Sequence, residues 1–128
     1  MAHRSRLAGF IIDCNTPDLD AAAKFWSAAL GCAIDPEEAS DATSEYVNFN
    51  DTPGGLHIEV QKVDHPSRVH LDIESDDIDA EAARLESLGA KKIAFVKRWW
   101  VMESPTGQRF CVVRMREVEG RSAPNEWA

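Results

Sequence analysis

No run of apolar residues in this chain is long enough to cross a bilayer as a helix, which argues against a membrane partner. The first residues, Met1-Ala2-His3-Arg4-Ser5-Arg6, lead into a strand pattern rather than a signal peptide. Positive charge is also scarce. There are 14 Lys and Arg against 22 Asp and Glu, a net charge of −8, and the densest basic group is only Lys91, Lys92, Lys97 and Arg98. A nucleic-acid partner is therefore not expected, because binding to a phosphate backbone rests on a concentrated basic face. Cysteine is limited to Cys14, Cys32 and Cys111, an odd number without paired spacing. That excludes a disulfide framework and fits reduced thiols in a cytosol. A soluble, cytoplasmic protein is the expectation.

What is present suits one compact domain: 128 residues, 44% hydrophobic and 28% charged. Residues 68–77 (Arg-Val-His-Leu-Asp-Ile-Glu-Ser-Asp-Asp) organise the chain. Val69, Leu71 and Ile73 alternate with His70, Asp72 and Glu74, the period of a β-strand with one face on an apolar core. Ser75, Asp76 or Asp77 can cap a following helix, which carries Ile78, Ala82, Leu85 and Leu88 on one side and which Gly89 can end.

The same unit occurs earlier. Asp18-Leu19-Asp20-Ala21 leads to Leu30-Gly31, as Asp77-Ile78-Asp79-Ala80 leads to Leu88-Gly89. Asp77 follows Asp18 by 59 positions and Gly89 follows Gly31 by 58. Each copy has a strand pattern upstream, residues 7–13 in the first. The chain reads as a tandem duplication of a module just under sixty residues long.

In the first module, Thr16 as N-cap with Pro17 at the first helical position suits the helix start. Leu19, Ala22, Ala23, Trp26 and Leu30 form its stripe. Residues 35–45 (Asp35, Pro36, Glu37, Glu38, Ser40, Asp41 and Glu45 among them) read as an exposed acidic loop. Val47 and Phe49 mark a short strand, and Asp51-Thr52-Pro53-Gly54-Gly55 a turn. A further strand follows, where Leu56, Ile58 and Val60 alternate with His57, Glu59 and Gln61. Residues 63–67, with Pro66, link the modules. The second module continues with strands near residues 94–97 and 99–102, a turn at 103–108, and a last strand over 109–115. Residues 117–128 have no period and are expected at the surface or mobile, with Trp127 a candidate contact for a neighbouring molecule.

The fold expected is α+β. Two tandem βαβββ modules, about 7–63 and 68–116, form one domain over 1–118, and a tail covers 119–128. Their sheets join into a curved half-barrel with helices on the outer face, so that His57, Glu59, Gln61, His70, Asp72 and Glu74 line a cup. For Glu74, near its strand end, a solvated position is the simpler expectation. Cys111 reads as a small buried side chain.

Phe25-Trp26 before Leu30-Gly31, His70 seven residues ahead of Asp77, Leu88-Gly89-Ala90, and Glu103-Ser104-Pro105-Thr106-Gly107-Gln108-Arg109-Phe110 occur in this order over about residues 7–115. In this the chain resembles the vicinal oxygen chelate superfamily of glyoxalase I, bleomycin-resistance proteins and extradiol dioxygenases, and in detail the small bacterial glyoxalase-like proteins. Glu103-Ser104 and Gln108 depart from the family's Asp-Pro-x-Gly-Asn turn. The resemblance implies a metal site with ligands from the first and last strand of each module. His70 matches one corner and Cys111 or a neighbour another, Glu59 or Gln61 a third, and Ile11 stands where the fourth ligand belongs.

Three functions follow. The leading one is a small-molecule binding protein with a cup-shaped pocket formed by His57, Glu59, Gln61, His70, Asp72, Trp99 and Cys111, with aromatic walls and without a complete metal site. The second is a metal-dependent lyase or isomerase of glyoxalase type, with zinc, nickel, manganese or iron on His70, Glu59 and Cys111 and with Glu59 as base. The third is a structural or regulatory module with a vestigial pocket. The resemblance also implies a homodimer, which would cover sheet edges.

Overall fold

The computed structural model describes residues 2–36, 45–118 and 120–128. Part of the expected acidic loop, residues 37–44, lies outside the described residues. The chain is mixed α+β. Its elements are β1 (His3–Cys14), α1 (Leu19–Leu30), β2 (Ala33–Ile34), β3 (Tyr46–Asn50), β4 (His57–Lys62), β5 (Arg68–Ser75), α2 (Ile78–Ser87), β6 (Lys91–Val96), β7 (Trp99–Glu103), β8 (Arg109–Arg114) and β9 (Asn125–Trp127). The chain divides into two compact units, Phe10–Val69 and Met1–Gly9 with His70–Ala128, and the divisions fall inside β1 and β5.

In the Phe10–Val69 unit, antiparallel pairing sets Ile34 opposite Phe49, Tyr46 opposite Gln61 and Asn48 opposite Glu59. Alternation then buries Val47, Phe49, Ile58 and Val60 together with Ile12, against Leu19 and Ala23 of α1. The cap of α1 is Asp18, not Thr16: the Asp18 carboxylate accepts from Ala21 N–H at 3.0 Å. Thr16 Oγ1 instead accepts from Asp18 N–H at 3.1 Å, closing a local turn before the helix and leaving Pro17 outside it. A carboxylate cap also meets the positive end of the helix dipole, which a threonine hydroxyl does less well. Gly31, at φ +70°, ends the helix and returns its N–H to Ser27 C=O at 2.9 Å.

In the other unit, β5 and β8 pair in parallel, and β7 lies antiparallel between β8 and β6. Ala82 and Leu85 of α2 bury against Met102 and Val112, with Ile73, Ile78, Trp100 and Phe110 around them. Asp77 caps α2 by accepting from Ala80 N–H at 3.0 Å. After the helix, Gly89 adopts φ +105°, and a Cβ there would stand 3.2 Å from Pro105 Cγ, so glycine is required twice over.

The apolar face expected on β5 is only partly covered. Ile73 packs against the α2 cluster, whereas Leu71 is 52% and Val69 57% exposed. A ten-residue helix is about 15 Å long and an eight-residue strand about 26 Å, so α2 cannot cover the whole strand.

The expectation of a solvated Glu74 is overturned as well. Glu74 is 2% exposed and its Oε1 meets Arg6 Nε at 2.6 Å and Arg121 Nη1 at 3.1 Å. Two guanidinium groups offset the cost of burying the carboxylate.

The C-terminal segment is part of the fold. Strand β9 pairs antiparallel with the start of β1, His3 opposite Trp127 and Ser5 opposite Asn125. Trp127 docks on its own chain: its indole N–H donates to Ser5 Oγ at 2.8 Å, and the Arg84 guanidinium lies 3.9 Å from the ring centre.

Candidate functional site

His70 and Asp72 are two apart on β5, and a strand turns such residues to the same face. Asp72 is 7% exposed and His70 half-buried, with His70 Nε2 3.6 Å from Asp72 Oδ1. The parallel register of β5 with β8 sets Asp72 opposite Cys111, which is half-buried. One donor atom from each of His70, Asp72 and Cys111 lies within 4.8 Å of the other two. An imidazole, a carboxylate and a thiol therefore converge on one partly screened face, a set suited to a polar ligand or to a borderline-soft cation.

The polar face of β4 belongs to the Phe10–Val69 unit. His57 Nε2 lies 3.5 Å from Glu59 Oε2, and the Gln61 amide donates to Tyr46 Oη at 3.4 Å. These side chains are half-buried, and alternation along β4 sets them opposite Ile58 and Val60. Trp99 starts β7 opposite Val96, with Lys97 Nζ 6.0 Å from its ring centre.

Of the three metal donors proposed from the sequence, His70 and Cys111 are brought together, and Asp72 is the carboxylate beside them. Glu59 stands beside His57. Sequence spacing placed His70 and Asp72 on one face, the family resemblance set Cys111 with His70, and the β5–β8 register puts Cys111 opposite Asp72. Ile11 is buried at 2% exposure and has no donor atom to offer.

Zinc bond lengths of about 2.0–2.3 Å put tetrahedral donors roughly 3.5 Å apart. The His70–Asp72 separation of 3.6 Å meets that, and with all three donors within 4.8 Å of one another, side-chain movement of at most about 1 Å closes the set. The donor chemistry fits a thiophilic divalent ion at three positions.

Sequence reasoning missed a further buried carboxylate. Glu81 on α2 is fully buried, with Oε1 at 2.8 Å from His3 Nε2 and 2.7 Å from Arg84 Nε, and Oε2 at 2.8 Å from Arg84 Nη2. Burial by itself raises its pKa, but hydrogen bonds from Arg84, His3 and Ser5 outweigh that and hold the carboxyl below its usual range. No single-sequence signal marks it, because its His3 partner is 78 residues away. An open depression of about 710 Å³ lies near this network, lined by His3, Asp77, Asp79, Ala80, Ala83, Arg84 and Ala128. None of the His70 cluster lines it. Cys14 is a packing thiol: burial, then the Asp13 carboxylate, push its pKa up, away from the reactive thiolate.

The family model for the glyoxalase-like domain matches residues 9–113. The chain belongs to the glyoxalase-like domain family. The matched stretch takes in every residue singled out from the sequence for the site: His57, Glu59, Gln61, His70, Asp72, Trp99 and Cys111. A search of curated proteins gave no match. Within the described residues, no helix of this glyoxalase-like chain is long and apolar enough to cross a membrane. Membership does not settle the chemistry, which has to be argued from the side chains themselves.

Proposed function

We propose that this glyoxalase-like chain is a small-molecule binding protein whose ligand meets the His70, Asp72 and Cys111 face, without a complete four-donor metal site. His57, Glu59 and Gln61 on β4 offer a second set of polar groups for a ligand. The observation that carries it is the convergence of three polar groups on a partly screened face. Such a face offers a few placed donors and acceptors, as ligand pockets do. Trp99 would add an aromatic wall. A protein of this kind responds to His70→Ala and Asp72→Asn with weaker ligand binding and an unchanged response to divalent ions, read by calorimetry and thermal melts.

A second reading has one observation of its own, the three donor atoms within 4.8 Å. His70, Asp72 and Cys111 would hold a divalent ion, zinc before nickel, manganese or iron because a thiolate is present. Such an ion, when bound, supplies Lewis-acid polarisation of substrate oxygens. The base proposed from the sequence for this reading is Glu59, whose carboxylate has His57 Nε2 3.5 Å away.

We also propose a homodimer. Leu7 and Leu71, 46% and 52% exposed in the same unit, are apolar side chains that a second copy would cover.

A further inference from the structure

Strand β6 and the turn after it, Lys91-Lys92-Ile93-Ala94-Phe95-Val96-Lys97-Arg98, carry four cations and no acid in a chain of net charge −8. All six residues of β6 are exposed, with Ile93 at 42%, Phe95 at 53% and Val96 at 37%. The strand ends the order of its sheet: β7 lies on one side, and no strand pairs on the other among the described residues. Edge strands of this kind are templates for pairing with a further strand. The one irregularity, a register shift between Lys92 and Ala94, leaves Ala94, Phe95 and Val96 in regular pairing with β7.

Charge decides which strand the edge can accept. A second copy of β6 would bring its own Lys91 and Lys92, and Lys97 and Arg98 of the following turn, toward the same four cations, and like charges brought together disfavour that pair. The same arrangement attracts an extended segment with carboxylates near its two ends and apolar residues between. Lys91 and Lys92 are adjacent, so their side chains leave on opposite faces of the sheet. Cations straddling the sheet plane suit a strand lying alongside the edge better than a flat anionic membrane, which needs them on one side. The aromatic backing is already in place. Phe95 and Trp100 pack edge to face at 5.0 Å, and Lys92 Nζ lies 4.6 Å from the Trp100 ring centre.

We infer that the outer edge of β6 is a docking site for an acidic, extended peptide segment of a partner protein, which adds as a strand beside Ala94–Val96 and meets Lys91, Lys97 and Arg98 with its carboxylates, Lys92 being paired with Glu86 of α2 at 3.5 Å.

The test uses the whole chain and a short synthetic peptide alternating glutamate and valine. Trp99 and Trp100 fluorescence and calorimetry report binding. The expected result is saturable binding that weakens as salt rises. Replacing the glutamates by lysine should abolish it, and N-methylating alternate peptide amides should weaken it by removing main-chain donors. Lys91→Glu with Arg98→Glu should reduce affinity on the order of tenfold while the thermal melt stays unchanged. The inference is overturned if the glutamate peptide does not bind, or if the N-methylated peptide binds equally well. Binding to phosphatidylserine-containing vesicles in place of the peptide would also overturn it, because the face would then be a membrane surface. If the double charge reversal alters the melt, the single Arg98→Glu variant is read in the same way, and an unchanged affinity counts against the inference.

Discussion

Arg121 reaches from the C-terminal segment to Glu74 on β5, its Nη1 3.1 Å from Glu74 Oε1 with both side chains buried. Arg6 holds the same oxygen from β1 at 2.6 Å, so one carboxylate ties together three stretches of chain. Arg6 also donates to the backbone carbonyls of Arg116 and Ser122. Glu74→Gln leaves two guanidinium groups without a counter-charge at a site that is 3% exposed on the glutamate side. Removing one partner of a buried ionic group costs about 3–5 kcal/mol. A urea melt of that variant should lose an amount in this range, and a loss below about 1 kcal/mol would place the group in solvent.

Trp127 should stabilise the chain it belongs to. Trp127→Ala gives up the Ser5 hydrogen bond, the Arg84 stacking and part of an aromatic surface, about 2 kcal/mol together. For a domain this size that is a fall of roughly 6–10 °C in Tm. An unchanged Tm at dilute concentration would mean that the indole does not pack within the chain.

Glu81 predicts an acid limb of stability. Its folded pKa lies below the ordinary value of 4.5, so it binds a proton less readily folded than unfolded. Its contribution is present above that ordinary value and is lost as pH falls through it toward the folded pKa. Urea midpoints measured from neutral pH downward should therefore fall in the wild type below about pH 4.5. In Glu81→Gln the same series should start lower and fall less steeply. Parallel curves would show that Glu81 is not the group responsible.

Sedimentation equilibrium tests the dimer. A dimer at micromolar protein, weakened by Leu71→Asp, is expected; a monomer under those conditions rejects it.

Much of the strand pattern was legible from local chemistry. Val47, Phe49, Ile58 and Val60 alternate with polar neighbours and are buried as alternation requires. Gly31 ended its helix where the sequence placed the stop. Residues whose environment is set by distant partners were not legible. Glu74 looked solvated because Arg6 and Arg121 lie 68 and 47 positions away. Leu71 looked buried because periodicity reports which face a residue takes, not how far the covering helix reaches. The tail looked unpatterned because a three-residue strand is too short to show a period. At the site, spacing joined His70 to Asp72 and the family resemblance named Cys111 with His70, while the parallel pairing that sets Cys111 opposite Asp72 is not encoded locally in one sequence. Asp18 displaced Thr16 as cap because adjacent residues of similar chemistry compete for the same helix start.

The central claim is that His70, Asp72 and Cys111 face a small molecule without a complete metal site. Thermal melts of protein purified without chelators or an affinity tag, with zinc, nickel, manganese or iron(II) added, test it most directly. An ion bound only to the native state at a hundredfold excess over its Kd adds about 2.7 kcal/mol, a rise of several degrees. The account predicts no such rise for any of the four, in the wild type or in His70→Ala. A saturable rise in Tm that disappears in His70→Ala, in Asp72→Asn and in Cys111→Ser would contradict it and make metal-assisted catalysis the leading function.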